Sequence, residues 1–369
     1  MLYRNLYNGN KIPSIGFGTY RLLNQTCEEA VYEAIKAGYR LIDTAEGYNN
    51  EHSVGGGIWK AFSDSIVARN GLFITTKLFH ANPVGYENTI QAFHRSLKNL
   101  NLDYIDLYLI HWPNFTPKDK WKELNAETWR AMEDLQKQGL VKNIGVSNFA
   151  IHHLEELLKT ANIKLAVNQL ELSPIWQQRE TVEFCKKHNI QCEAYSPFAS
   201  ELVFEKNLIN NIAKSHNKTC GQIVLRWSIQ KGFIPLPRTT SVDEMRQNLE
   251  IFDFELSEED ISSLDTLNSN PACAEPDTLT FILDIQEKLI NPVKKVKEKV
   301  SLLGFIPFLK TRYFDNKREY YLFNLLPFIL RKNIRENLDG LYLFGMLKLG
   351  TIKIRKDYSI RKPLLPRYK

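Results

Sequence analysis

The sequence predicts a closed (β/α)8 barrel followed by a basic C-terminal appendage, and three observations carry that expectation. Within residues 1–275, eight short β-branched or aromatic runs alternate with longer amphipathic stretches, which is the pattern of a parallel sheet with crossover helices. Eight such units favour closing the sheet over leaving it open and doubly wound. The charge also divides. The whole chain carries a formal +6, yet from Pro276 onward 20 Lys and Arg face 9 Asp and Glu, so an acidic body of residues 1–275 precedes a basic segment, 276–369.

The elements follow in chain order. Residues 15–20 read as the first strand, with Gly16 and Gly18 where backbones approach closely. Thr26 is the expected cap of a helix through Glu28, Glu29, Val31, Ile35 and Ala37, which Gly38 stops. Residues 41–43 form the second strand. Strands are then expected at 72–77, 104–111, 143–147, 166–171, 191–195 and 232–236, with helices over 88–100, 127–138, 151–160, 180–188 and 221–230. An open dinucleotide-binding sheet would need Gly-x-Gly-x-x-Gly directly after a strand. Gly55-Gly56-Gly57 instead lies inside a helix-like stretch, 51–62, and reads as a helix weakened by glycine.

Composition narrows the classes. Hydrophobic residues at 43% and charged residues at 24% describe a globular chain, and no apolar run approaches the about 18 residues of a membrane span. The opening residues lack the apolar stretch of a secretory signal. Cys27, Cys185, Cys192, Cys220 and Cys273 are scattered and never form Cys-x-x-Cys, so reduced thiols in a cytoplasmic protein are expected. There is no His-Glu-x-x-His, and the neighbours His152 and His153 diverge on a helix, so no metal site is expected.

Barrel chemistry belongs at the C-terminal ends of the strands. Those ends supply Asp43, Lys77, His111, Ser147, Asn148, Gln169, Glu171, Tyr195, Ser196 and Arg238, with Tyr48 shortly after the second strand. Taken singly, each has an ordinary role: a turn-capping aspartate, a lysine reaching solvent, a core histidine, a pocket tyrosine. Taken together they suit one reaction. An ammonium beside a phenol stabilises the phenolate, a carboxylate holds the ammonium, and a histidine orients a carbonyl or relays a proton. Such a set protonates a carbonyl oxygen while a nicotinamide delivers hydride to the carbon.

The motifs Gly16-Phe-Gly-Thr-Tyr20, Asp43-Thr-Ala-Glu-Gly-Tyr48-x-Asn-Glu51, Ile74-Thr-Thr-Lys77, Asp106-Leu-Tyr-Leu-Ile-His111-Trp-Pro113, Gly145-Val-Ser-Asn-Phe149, Asn168-Gln-x-Glu171, Ala194-Tyr-Ser-Pro197 and Ile234-Pro-Leu-Pro-Arg238 occur in order over about residues 5–270. In them the sequence resembles the aldo-keto reductase family. The resemblance implies NAD(P)H-dependent reduction of an aldehyde or ketone by a catalytic tetrad of Asp43, Tyr48, Lys77 and His111, with Tyr48 as general acid. It implies that Ser147, Asn148 and Gln169 hold the nicotinamide carboxamide, that Tyr195 stacks on the ring, and that Ser196, Phe198 and Ser200 line the pyrophosphate path. At the adenosine end Arg238 and Thr239 stand where the family has Lys-Ser, Asn248 matches an adenine-contacting asparagine, and Glu244 stands where many NADPH-specific members have arginine. Arg238 favours NADPH. Glu244 leaves NADH or dual use open. Tyr20, Trp59, Phe79 and Trp112 are expected to form an aromatic substrate pocket.

The basic segment reads differently. A lysine-rich helical stretch at 287–299 precedes three related units, 302–310, 322–331 and 343–353, in which Gly304, Asn324 and Gly345 align at steps of 20 and 21 residues. Small β-hairpins are expected, suited to an anionic membrane surface or a protein partner. No recognised module supports nucleic-acid binding. This segment resembles tails on bacterial enzymes of surface-polysaccharide assembly, which implies a sugar-derived carbonyl and peripheral attachment at the inner membrane surface. The alternative is a cofactor-sensing regulatory protein, or a membrane-surface adaptor, built on a reductase-like barrel.

Overall fold

The computed structural model describes residues 2–79, 85–113 and 120–269, together with the backbone of five strands between residues 309 and 353. The chain divides into two compact units, 1–283 and 284–369.

In the first unit, two antiparallel strands, β1 (Tyr3–Asn5) and β2 (Lys11–Pro13), precede eight parallel ones. These are β3 (Gly16–Gly18), β4 (Leu41–Asp43), β5 (Phe73–Leu78), β6 (Ile105–Ile110), β7 (Val141–Ser147), β8 (Val167–Glu171), β9 (Gln191–Tyr195) and β10 (Ile234–Leu236), lying side by side in chain order. The Gly18 N–H donates to Pro237 O across 3.0 Å, joining the first strand to the end of the last. The result is a near-closed eight-stranded barrel, as the alternation predicts.

The crossovers run through α1 (Asn24–Ala37), α2 (Glu51–Ser63), α3 (Tyr86–Leu100), α4 (Lys120–Lys137), α5 (Ile151–Leu158) and α6 (Arg179–Lys187). They continue through α7 (Asn207–Ser215) and α8 (Cys220–Gln230), and α9 (Val242–Leu249) and α10 (Glu258–Asp265) follow β10. None of the described helices is long and apolar enough to cross a membrane. Two apolar layers hold the unit together. One lies between strands and helices. The other fills the barrel itself, where Leu41, Phe73, Leu107, Leu109, Val167, Ile234 and Leu236 meet Leu6 and Ile12 of the N-terminal segment. That plug closes one end and leaves the C-terminal ends of the strands to the polar residues.

Two local expectations are corrected. The first helix begins at Asn24 with Leu23 at its cap, so Thr26 lies inside the first turn and caps nothing. Gly38 does end it, at φ +120°, with its N–H on Ala34 O and Ile35 O. The three glycines of α2 are a packing device rather than a weakness. A β-carbon at Gly55 would lie 2.7 Å from Leu100 O, and one at Gly57 only 2.5 Å from Glu28 O, so both neighbouring helices approach α2 closely because these positions carry none.

The second unit contains β11 (Leu309–Phe314) paired antiparallel with β12 (Lys317–Leu322). A three-stranded antiparallel sheet follows, of β13 (Phe328–Asn333), β14 (Leu338–Leu343) and β15 (Leu347–Lys353). The expected boundary near 276, the lysine-rich stretch at 287–299 and the first residues of the repeat at 302–308 lie outside the described residues.

Candidate active site

Side chains alternate along a strand, so the interior of the barrel is decided two residues at a time. On β4 the buried apolar Leu41 is followed inward by Asp43, and on β5 Phe73 and Thr75 lead to Lys77. On β6 Leu107 and Leu109 lead to His111, just past the strand end, and on β8 Val167 leads to Gln169. On these four strands apolar residues come first and polar ones last. The polar set therefore gathers at one end, over the apolar plug.

Lys77 has no exposed surface, and a buried ammonium is tolerated only when its donors are satisfied. Its three acceptors are Asp43 Oδ1 at 2.6 Å, Thr44 O at 2.9 Å and Tyr48 Oη at 3.2 Å. The second carboxylate oxygen of Asp43 accepts from Gln169 Nε2 at 2.8 Å. Tyr48 reaches Lys77 because β4 ends in a single 3-10 turn, Glu46–Tyr48. Asn50 clamps that turn: it accepts from Thr44 Oγ1 at 2.8 Å and donates to Thr19 O at 2.8 Å and Leu22 O at 2.9 Å.

Around the phenol stand aromatic rings. Tyr20 lies 4.9 Å from Tyr48 between centroids, and His111 lies 5.5 Å away, edge-on at 73°. Phe79 is 6.0 Å from His111, while Trp112 follows His111 and is half-buried. Trp59 is not among them and is corrected. It sits on α2, 44% exposed, with its ring edge-on to Phe62 and its Nε1–H donating to Asn101 O, just past α3. Crossover helices run opposite to the strands, so the end of α3 lies at the barrel face away from the strand ends.

A second polar group lies beside the tetrad. Ser147 Oγ donates to Gln169 O at 2.8 Å, Asn148 Nδ2 donates to Ser147 Oγ at 3.1 Å and to His111 O at 3.0 Å, and Tyr195 Oη donates to Asn148 Oδ1 at 2.8 Å. Ser196, Phe198 and Ser200 fall on the turn after β9, where Ser196, Ala199, Ser200 and Glu201 all take positive φ. Arg238 is exposed directly beyond β10, and Asn248 is buried on α9. Between them, the Thr239 hydroxyl donates to the Glu244 carboxylate in the first turn of α9.

The sequence profile of the aldo/keto reductase family matches residues 14–269. The chain belongs to the aldo/keto reductase family. It is 46% identical over 278 residues to a glyoxal reductase of Bacillus subtilis, covering 75% of this chain and 96% of that one. It is 41% identical over 265 residues to the methylglyoxal reductase DkgA of Yersinia pestis, covering 71% and 91%. Among solved structures, an aldo-keto reductase from Bombyx mori in complex with NADP superposes with a TM-score of 0.66 at 36% identity, over 72% of this chain and 92% of that one. The protein is thus an NAD(P)H-dependent oxidoreductase acting on carbonyl groups.

The residues of this aldo/keto reductase fit a nicotinamide. Both N–H bonds of the Gln169 amide are committed to carboxylates, Asp43 Oδ2 and Glu193 Oε2, each at 2.8 Å. Its carbonyl oxygen is the part left to accept from a carboxamide N–H. Glu193 itself is a residue the sequence reading passed over. Its signal was available: it stands two residues before Tyr195, on the same face of β9, and in register with Gln169.

Proposed function

We propose that this aldo/keto reductase uses NADPH to reduce small α-oxoaldehydes of the glyoxal and methylglyoxal class. NADPH supplies the hydride. Tyr48 donates the proton to the carbonyl oxygen, and the observation that carries this role is the Lys77 ammonium 3.2 Å from its hydroxyl oxygen. Because Tyr48 accepts from Lys77, its own O–H is the proton to be given, and Lys77 stabilises the negative charge that grows as it leaves. Asp43 keeps Lys77 in place, and His111 orients the carbonyl from the edge of the phenol ring. Ser147, Asn148 and Gln169 hold the carboxamide, while Tyr195, fixed through Asn148, sets which face of the nicotinamide meets substrate. The α-oxoaldehyde class is supported by relatives named for glyoxal and methylglyoxal reduction, and Tyr20, Phe79 and Trp112 suit a small carbonyl compound.

Replacing Tyr48 by Phe removes the acid and keeps the ring. The Tyr48→Phe variant is expected to lose about 10²- to 10⁴-fold in turnover of methylglyoxal while still quenching with NADPH in a fluorescence titration. Unchanged turnover would sink the acid assignment. Higher kcat/KM for nucleotide sugars than for methylglyoxal would move the substrate class to sugar-derived carbonyls.

The C-terminal segment supports a second, separate reading. Its 20 Lys and Arg against 9 Asp and Glu from Pro276 onward suit attachment to an anionic membrane surface rather than chemistry. A chain ending at residue 275 should keep its turnover and lose binding to vesicles of anionic lipid. Loss of turnover in the folded, shortened chain would instead make the segment part of the substrate site.

A further inference from the structure

Glu193 lies in the barrel interior and has no part in the reduction set out above. It has no exposed surface, and strand register sets it beside Gln169 of β8 and Ile234 of β10. Its Oε2 accepts from Gln169 Nε2 at 2.8 Å, and the same nitrogen donates to Asp43 Oδ2 at 2.8 Å. One amide therefore separates Glu193 from the line Asp43, Lys77, Tyr48. Its other oxygen, Oε1, makes no hydrogen bond among the described residues. The charged groups that face it are Asp43 from β4 and Lys77 from β5. β8 and β10 offer Gln169 and Ile234, neither of which titrates.

The charges decide which protonation state suits this place. Lys77 and Asp43 already balance each other. A second carboxylate would give the buried centre a net negative charge and leave one of its oxygens without a donor, the situation that burial disfavours most. Burial, and then the Asp43 carboxylate, push the Glu193 carboxyl up to about 8, against smaller pulls from Gln169 and Lys77.

We propose that Glu193 is a positioning residue for carbonyl reduction: held neutral, it preserves the charge balance of the Asp43–Lys77 pair under Tyr48, and its ionisation slows proton donation. This rests on Tyr48 as the acid. As the phenol gives up its proton, negative charge grows on an oxygen that Lys77 stabilises. An ionised Glu193 places a second negative charge near the same ammonium and opposes that growth. The proton on Glu193 stays there through turnover, and the one delivered to substrate is that of Tyr48.

The test compares the pH profiles of kcat/KM for methylglyoxal in the wild type, Glu193→Gln and Glu193→Met. Both variants lack the ionisable group; Gln keeps its shape and its acceptor, whereas Met keeps only bulk. Between about pH 7 and pH 9 the wild type should lose most of its activity while both variants hold theirs. At about pH 9 each variant then retains roughly tenfold more of its own neutral-pH rate than the wild type does. A uniform loss at every pH with the alkaline limb unmoved would mean a purely structural role and overturn the proposal. Tyr48→Phe measured in parallel separates the two readings. An unmoved limb beside an inactive Tyr48→Phe variant rejects the Glu193 role alone, whereas an active Tyr48→Phe variant rejects the acid assignment beneath it.

Discussion

Lys77 Nζ stands 2.6 Å from Asp43 Oδ1, and both side chains are buried. Such a pair is weak evidence of stability, because desolvating two charges offsets most of their attraction; removing one partner, however, strands the other. Asp43→Asn leaves the ammonium of Lys77 without its counter-charge. It is expected to destabilise the barrel by about 3–5 kcal/mol in denaturant unfolding, and to abolish most turnover. The double variant Asp43→Asn/Lys77→Met should recover much of that stability and none of the activity. Recovery of turnover in the double variant would show that the pair serves folding rather than proton donation.

The raised carboxyl of Glu193 gives stability a definite pH slope. Its ordinary value is 4.5 and its folded value about 8, so the folded chain holds a proton that the unfolded chain releases. Below about pH 4.5 both forms are protonated and this group costs nothing; as pH rises toward about 8, stability falls by up to about 5 kcal/mol, then levels off. In Glu193→Gln that contribution is absent. The gap in melting temperature between variant and wild type should therefore widen with pH across this window, reaching up to about 10 °C in favour of the variant. A constant gap would mean that Glu193 is ionised throughout, held by something other than Asp43, Lys77 and Gln169.

These residues also mark how far the sequence alone could be read. Asp43 and Lys77 were legible because each stands at or one residue before the end of an apolar strand, and parallel strands in chain order bring such ends together; Gln169, in the middle of β8, was legible through the motif Asn168-Gln-x-Glu171. Glu193 was passed over, although alternation along β9 puts it on the face of Tyr195, because none of the motifs includes it and the groups it meets, Gln169 by a hydrogen bond and Asp43 by charge, stand 24 and 150 residues away in the chain. The glycines of α2 looked like a liability because helix propensity is local, whereas the close approach of Glu28 O and Leu100 O is not. Trp59 was misplaced for a related reason. Aromatic character does not tell the inside of a crossover helix from its outside. The cap of α1 was misjudged by a short distance because Thr26 has the right chemistry but Leu23 has the extended backbone.

At the adenosine end, Glu244 is the residue whose charge works against the proposed cofactor. Its carboxylate accepts from the Thr239 hydroxyl, and Arg238 precedes that threonine, so a 2′-phosphate held by Arg238 and Thr239 would lie close to a negative charge. Glu244→Gln removes the charge and keeps an oxygen for Thr239 to donate to, so the turn into α9 is preserved. The N-cap bond, donated by the Glu244 backbone N–H to Ser241 Oγ, does not involve the Glu244 side chain and is unaffected. Losing a carboxylate from the first turn of the helix costs only about 0.3–1 kcal/mol of helix stability. The KM for NADPH is expected to fall by about three- to tenfold, with that for NADH unchanged, since only NADPH carries the phosphate. Steady-state kinetics with the two cofactors read this directly. Equal changes for both would trace the effect to the start of α9, and no change for either would mean that the 2′-phosphate does not pass Glu244.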